Sequence, residues 1–263
     1  GVDAITLADN SLASPRICNA SIASIIKREI GITPLVHIAC RDRNLIGLQS
    51  HLMGLHTSGI HEILAITGDP SKLGDFPGAT SVFDVNSFQL VQLIQQFNKG
   101  MLTSGRTLKQ STSFNIAVAC NPNANRLEIE VKRLEKKIAN GANYVLTQPI
   151  YSNEKIIELK EATKHLDVPI YIGIMPLTST QNAEFLHNEV PGIKLTDEVR
   201  ERMRAASGSR EESAAESIQI SKELVDTALE HFNGIYFITP FLRYELIVAL
   251  VDYIHQKEEE ASR

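Results

Sequence analysis

Apolar residues along this chain fall into two alternating patterns. Short continuous apolar runs bounded by turn residues are typical of strands covered on both faces of a parallel sheet. They predict seven strands, at Ala4–Leu7, Leu35–Cys40, Ile63–Thr67, Phe114–Cys120, Tyr144–Thr147, Ile170–Ile174 and Ile235–Ile238. Apolar residues spaced three or four apart indicate amphipathic helices between the strands. These helices are expected at Ala20–Ile30, Leu45–His56, Ser87–Gly100, Leu127–Ala139, Glu154–His165, Gln181–Asn188, Thr196–Ala206, Ala214–Phe232 and Tyr244–His255.

The residues that flank the predicted strands follow a recurrent pattern. Several strands are preceded by Gly or Asn-Gly, which helix C-termini prefer. The same strands are followed by a polar or turn residue, namely Asp9, Asp69, Gln148 or Thr239. In a parallel α/β barrel the carboxyl ends of the strands carry the chemistry. The sequence therefore predicts an α/β fold of the (β/α)8 TIM-barrel type with its ligand groups at one rim.

The chain has 263 residues, a length that suits one barrel domain, and we expect residues 1–263 to form it. A barrel of this type needs eight strands, whereas the pattern supplies seven. The expectation is an N-terminally truncated barrel whose first strand precedes Gly1.

Net charge, apolar run length and cysteine spacing argue against several classes of function. The net charge of −5 argues against a dedicated nucleic-acid or membrane-surface binder. No apolar run approaches the roughly 20 residues of a membrane helix, and a cytoplasmic location is the default expectation. Three cysteines without CxxC spacing suggest reduced thiols. Cys40 and Cys120 each end an apolar run, so we expect both to be buried packing residues.

Asp69 is the sharpest candidate for chemistry, because it follows a buried strand and Gly68. Gly68 lets the backbone turn or approach a ligand closely. An alternative role for Asp69 is that of a plain turn or cap residue. His37, inside an apolar strand, is either a core histidine or a ligand-binding one.

Two further features have both a chemical and an unremarkable interpretation. Gln148 ends a strand, and its amide can donate and accept, which suits a heteroaromatic ring with mixed edges. Arg133, Lys136 and Lys137 form a basic run on one helix, which is either a solvated face or a phosphate contact. The histidines lack the HxH and HExxH spacings of metal sites. GxSxG, P-loop and GxGxxG motifs are missing too, which argues against hydrolysis at a nucleophile elbow and against P-loop phosphoryl transfer.

An ordered set of short motifs nevertheless resembles one family. The set consists of His37 in VHIAC, ITGD at Ile66–Asp69, Lys136-Lys137 before NGAN, TQP at Thr147–Pro149, GIMP at Gly173–Pro176 and the last strand and helix around Arg243. In this order they resemble methylenetetrahydrofolate reductases, which are flavin-dependent barrel enzymes. The likeness is greatest to the reductase half of bacterial proteins that also carry a homocysteine methyltransferase domain.

The resemblance implies FAD and NAD(P)H as cofactors and 5,10-methylenetetrahydrofolate as the substrate, reduced to 5-methyltetrahydrofolate by ping-pong hydride transfer. It assigns a catalytic role beside the flavin to Asp69, whose charge would stabilise the cationic folate. Flavin contacts are implied for His37, Thr67, Gly68 and Asp69, and contacts to the flavin's ribose and diphosphate for Glu130, Arg133, Lys136 and Lys137. Substrate contacts are implied for Gln148, Asn182 and Arg243. A fused homocysteine methyltransferase domain and a homo-oligomer are the expected partners.

One element of the family pattern has no counterpart in the sequence. The family's general acid is a glutamate on the first strand, and no residue here matches it, so we expect it upstream of Gly1. Two alternatives to a reductase stay open at this stage. One is a flavin-free barrel methyltransferase that acts on pterins, and the other is a non-catalytic folate- or flavin-binding module of a larger methyltransferase.

Overall fold

The computed structural model of the protein describes residues 1–261, with side chains for residues 1–260. Within this range the chain forms seven strands, all in parallel pairs where their register is defined. They are β1 (Ala4–Leu7), β2 (Thr33–Ala39), β3 (Glu62–Ile66), β4 (Asn115–Cys120), β5 (Tyr144–Pro149), β6 (Ile170–Ile174) and β7 (Gly234–Phe237). The predicted alternation of strands and helices is confirmed.

Helices alternate with the strands, and most of them begin next to a capping side chain. They are α1 (Asn19–Glu29), α2 (Leu45–Thr57), α3 (Ser87–Asn98), α4 (Leu127–Ala139), α5 (Asn153–Thr163), α6 (Thr180–Glu189), α7 (Asp197–Ala205), α8 (Arg210–His231) and α9 (Tyr244–Ala261). Asn86 and Gln89 form a reciprocal capping box at the start of α3. Side-chain oxygens of Ser152, Ser179, Thr196 and Ser209 accept backbone N–H groups at the starts of α5 to α8.

Two compact units make up the chain. The first contains residues Gly1–Ala119 and Leu134–Tyr144. In it β1, β2, β3 and β4 lie side by side in chain order, with Val36 opposite Ile63. The central residues of β3 and β4, and most of those of β2, are buried, as expected for a sheet covered on both faces, whereas β1 is only partly buried.

The second unit contains Cys120–Arg133 and Val145–Arg263, of which residues 262 and 263 lie outside the described range. In it β5, β6 and β7 are neighbours in chain order. The long helix α8 packs against α5, α7 and α9 and buries Leu224, Val225 and Ala228.

Most predicted boundaries agree with the observed ones within three residues. Two helices extend at one end by four or more residues beyond the predicted range. Helix α8 begins at Arg210 rather than Ala214, because the Ser209 hydroxyl caps it by accepting the Glu212 N–H. Helix α9 continues to Ala261 instead of ending at His255, through a glutamate-rich segment that helices tolerate well.

Two other expectations concern burial. Cys40 and Cys120 are buried cysteines in the reduced state, as predicted, while Cys18 is exposed. Burial raises the pKa of the Cys40 thiol to about 12, which makes it unreactive at neutral pH. Across residues 1–261, no helix combines the length and the apolarity that a membrane crossing requires.

Candidate functional site

The turn after β3 presents Asp69 to solvent. Gly68 adopts the left-handed conformation, with φ of +85°, where a Cβ atom would lie 3.0 Å from Cβ of Ala39. The next residue, Asp69, is exposed, and its backbone oxygen accepts a hydrogen bond from Nη1 of Arg41 at 3.0 Å. The turn therefore fixes the backbone of Asp69 and leaves its carboxylate available to a ligand.

Arg41, immediately after β2, is buried below this turn with only 2% of its side chain exposed. Its Nε and Nη2 atoms donate to the two carboxylate oxygens of Asp42, at 2.6 and 2.7 Å. Nη2 also donates to the backbone oxygen of Asn10 at 2.9 Å. The Arg41 guanidinium, helped by Asn10, holds the pKa of Asp42 below its usual value despite burial. A single side chain thus connects the ends of three adjacent strands.

A second ion pair lies beside the first. Asp9, which follows β1, is buried and accepts two hydrogen bonds from Arg43, at 2.6 and 3.1 Å. It also accepts the backbone N–H of Ala39 at 2.9 Å. Because carboxylate, guanidinium and backbone amide satisfy one another, this buried charge is compensated.

Two histidines near Asp9 have incomplete hydrogen bonding. Nε2 of His37 and Nε2 of His51 are buried and have no hydrogen-bond partner among the described residues. Burial lowers the pKa of each imidazole to about 4, although Asp9 opposes both shifts. Both rings are therefore neutral at pH 7, and the free nitrogen of His37 is able to meet a polar atom of a ligand.

These two histidines are expected to make the fold acid-sensitive. In the unfolded chain their pKa is about 6.5, so the unfolded state binds protons more tightly. Unfolding free energy should fall as the pH drops from about 6.5 to about 4, by up to about 1.4 kcal/mol per pH unit for each histidine. Denaturant titrations at several pH values measure this. The H51Q variant should lose part of the slope, whereas a variant of the exposed His255 should keep it; an unchanged slope in H51Q would contradict the prediction.

Helix α4 carries four of the predicted cofactor-binding residues in different environments. Glu130 accepts the backbone N–H of Asn121 at 3.0 Å and lies 3.8 Å from Nε of Arg133. The exposed Lys136 belongs to the first unit, with Lys137. Lys137 is buried, with its Nζ donating to the backbone oxygen of Ala119 at 2.6 Å. Diphosphate binding by these residues stays a prediction.

Gln148 projects from an irregularity in β5. Leu146 pairs with Tyr171 and Pro149 pairs with Gly173, so β5 has one residue more than β6 in this interval. The hydroxyl of the buried Thr147 accepts the Gly173 N–H at 2.8 Å and donates to the backbone oxygen of Gln148 at 2.9 Å. The side chain of Gln148 is exposed as a result.

Gly173 is required by this irregularity, because a Cβ there would lie 2.4 Å from the backbone oxygen of Thr147. The G173A variant is expected to lose about 3 kcal/mol of unfolding free energy, the upper range for an overpacked site. The matched control is G54A, since nothing lies within 4 Å of a Cβ on Gly54 in helix α2. That change should stabilise by about 0.5–1 kcal/mol. Denaturant titration compares the two; equal stability of both variants would contradict the prediction.

The remaining predicted substrate residues also lie in the second unit. Asn182 is buried in the first turn of α6, where its Oδ1 accepts the Thr178 N–H at 3.1 Å. Arg243 follows β7 and pairs with Glu245. Both come after the carboxyl ends of β6 and β7, the rim where a parallel α/β barrel places its ligand groups.

The structure thus distributes the predicted site residues over both units. His37, Thr67, Gly68, Asp69, Lys136 and Lys137 lie in the first, and Glu130, Arg133, Gln148, Asn182 and Arg243 lie in the second. The sequence did not single out Arg41, Asp9 or Arg43 as a connected group. The sequence feature that could have revealed this group is a cluster of charged residues after two successive strands. Asp9 follows the first strand, and Arg41 and Arg43 follow the second.

Comparison with known proteins agrees with this fold. A solved structure is described as an uncharacterized protein from Clostridium thermocellum that binds two copies of 5-methyl-5,6,7,8-tetrahydrofolic acid. It aligns with a TM-score of 0.65 over 96% of this chain and 81% of its own, at 16% identity. The α/β class and the succession of seven parallel strands with helices between them agree with the predicted TIM-barrel type.

Sequence comparison identifies the family. The model of the family "Methylenetetrahydrofolate reductase" matches residues 3–252. This chain belongs to the methylenetetrahydrofolate reductase family.

Individual relatives share about a quarter of the aligned residues with this chain. The 5,10-methylenetetrahydrofolate reductase of Pectobacterium carotovorum is 27% identical over 165 residues, which are 60% of this chain and 49% of the relative. Methylenetetrahydrofolate reductase 1 of Schizosaccharomyces pombe is 25% identical over 162 residues, which are 59% of this chain and 25% of the relative. The matched region thus spans about half of the bacterial relative and a quarter of the yeast one.

Proposed function

We propose that the protein containing this chain reduces 5,10-methylenetetrahydrofolate to 5-methyltetrahydrofolate with NAD(P)H, through FAD and with ping-pong kinetics. The observation that carries the proposal is the family match over residues 3–252, together with an exposed Asp69 held at the carboxyl end of β3. The Clostridium thermocellum protein of similar fold, described as binding a methylated tetrahydrofolate, agrees with a folate substrate.

The residues of the first unit are compatible with FAD. His37 offers a buried nitrogen without a hydrogen-bond partner among the described residues, and the left-handed turn at Gly68 leaves Thr67 and Asp69 exposed after β3. We therefore propose that His37, Thr67, Gly68 and Asp69 hold the flavin ring. FAD, when bound, supplies the hydride chemistry. The Lys137 ammonium would have to exchange its bond to the Ala119 oxygen for a phosphate oxygen.

The chain's own contribution is electrostatic and orienting. The carboxylate of Asp69 would stabilise the cationic iminium form of the folate, whose positive charge develops as the methylene bridge opens and before hydride is transferred. The amide of Gln148 can both donate to and accept from the edge of a pterin ring. Asn182 and Arg243 would hold the remainder of the substrate, with the Arg243 guanidinium suited to the carboxylates of its tail.

The test uses the purified protein mixed with FAD. Bound flavin should give absorbance at about 450 nm, a property of the cofactor. NADH or NADPH should remove this absorbance under anaerobic conditions, and methylenetetrahydrofolate should restore it. A protein that binds folate but no flavin would instead support a pterin methyltransferase. Bleaching without restoration would support a non-catalytic module.

The expected partners need separate measurements. A fused homocysteine methyltransferase domain and a homo-oligomer are proposals that rest on the resemblance alone. The mass of the purified protein, denatured and in solution, tests both. A denatured mass equal to that of this chain would exclude a fused domain. A mass in solution equal to the mass of one denatured chain would exclude an oligomer.

A further inference from the structure

Arg41 is the most buried charged side chain of the first unit, and its donors have partners on three strand ends. Its bonds to Asp42 balance its charge, and its bond to the Asn10 oxygen reaches the segment after β1. The third donor, Nη1, donates to the backbone oxygen of Asp69 in the turn after β3. This oxygen belongs to the residue whose carboxylate is proposed to act on the folate.

Past the end of the β2–β3 ladder, the turn that carries Asp69 is held by Arg41 and, two residues later, by the Ser71 N–H, which donates to Oγ of Ser81 at 2.9 Å. The β2–β3 ladder ends where the Cys40 N–H meets the Ile66 and Thr67 oxygens, at 3.3 and 3.1 Å. Beyond it, Gly68 lies against Arg41, with the position of its Cβ 3.4 Å from Cβ and 3.7 Å from Nη1 of the arginine. The Arg41 bond is therefore the first hydrogen bond that fixes the turn past the end of the ladder.

Only an arginine can make these contacts together. The guanidinium is planar and directs its N–H groups along fixed, divergent directions, whereas a lysine ammonium is a point charge on a flexible stem. A lysine at this position could pair with Asp42 but could not also hold the Asn10 and Asp69 oxygens in the same geometry. Loss of the Nη1 bond would release the Asp69 backbone without removing its carboxylate.

We propose that Arg41 is a positioning residue that acts on folate reduction through Asp69, an inference that rests on the proposed function. Its role is to hold the Asp69 backbone so that the carboxylate stays at a fixed distance from the cationic folate. Misplacement by about 1 Å can cost about 100-fold in rate, so a single backbone bond at this point has a large effect.

The test compares R41K, D69N and the double variant in the FAD-loaded protein, by measuring NAD(P)H oxidation and methylenetetrahydrofolate reduction separately. R41K should slow folate reduction by about 10- to 100-fold, with little change in NAD(P)H oxidation. The double variant should be no slower than D69N alone, because both changes remove the same interaction. A double variant showing the product of the two losses would overturn the positioning role.

A second measurement needs no cofactor. Amide hydrogen exchange in residues 66–73 should be faster in R41K than in the wild type. R126K is the matched control, because Arg126 is exposed and pairs with one carboxylate, that of Glu128. It should leave both exchange and rates unchanged. Unchanged exchange of residues 66–73 in R41K would contradict the proposal, as would faster exchange throughout the chain.

The outcomes separate this inference from the proposed function. If D69N leaves folate reduction unchanged, the role of Asp69 is wrong whatever R41K does. If D69N slows folate reduction and R41K does not, the positioning role is wrong. Should R41K not fold, G68A tests the same link, because its Cβ would push the turn away from Ala39 and Arg41. Folate reduction at the wild-type rate in G68A would overturn the proposal.

Discussion

Replacing Asp69 with asparagine is expected to slow methylenetetrahydrofolate reduction by about 100-fold, the usual effect of losing one preorganised electrostatic contact. The change removes a negative charge and keeps the shape of the side chain. The Asp69 backbone oxygen, which Arg41 holds, is unaffected by it. NAD(P)H oxidation should change far less, because no cationic folate is present in that half-reaction. Rapid-mixing measurements of the two half-reactions report both rates.

A nearby aspartate provides the control for D69N. Asp75 lies in the same loop after β3 and is also exposed, but no resemblance assigns it a role. D75N should therefore leave both half-reactions unchanged. Equal slowing of the two half-reactions in D69N would indicate a general disturbance of flavin binding, and unchanged rates would show that the charge of Asp69 is not used.

Replacing Asp9 with alanine is expected to lower the unfolding free energy by about 3 kcal/mol, because breaking a buried ion pair leaves one charge uncompensated. Asp9 is only 5% exposed and accepts from both Arg43 and the Ala39 N–H. Alanine would leave the partly buried guanidinium of Arg43 and one strand N–H without their acceptor. Urea denaturation monitored by circular dichroism measures the difference.

Two further variants, D197A and D9N, serve as controls for the D9A measurement. Asp197 also pairs with an arginine, Arg200, but its side chain is 90% exposed. D197A should cost less than about 1 kcal/mol, as exposed ion pairs do. D9N should lie between D9A and the wild type, because its amide oxygen can still accept the Ala39 N–H. If D9A and D197A prove equally stable, the pair of Asp9 with Arg43 contributes nothing to the fold.

The sequence was most informative where one local rule decides the structure. The end of β3 is an example, since a buried apolar run followed by Gly68 and Asp69 predicts both the strand and an exposed carboxylate after it. The burial of Cys40 and Cys120 was predictable for the same reason, because each ends an apolar run.

The parts that the sequence did not reveal depend on contacts between distant residues. Arg41 stands in a polar stretch directly after an apolar run, yet it is buried, and backbone oxygens 28 and 31 positions away accept its N–H groups. Lys136 and Lys137 both belong to the predicted basic run, but only Lys136 is exposed, while Lys137 is buried and donates to the Ala119 oxygen. A run of charges along a helix contains no information about which of them faces the sheet.

The Thr147 hydroxyl has a consequence for changing what the protein recognises. Because this hydroxyl takes over the hydrogen bonding of the sheet at the irregularity, and because Pro149 needs no donor partner, the ladder does not depend on the side chain at position 148. A library of substitutions at Gln148 should therefore yield folded proteins almost throughout. If Gln148 contacts the pterin ring as proposed, selection for altered recognition of that ring can start at this position without first repairing stability.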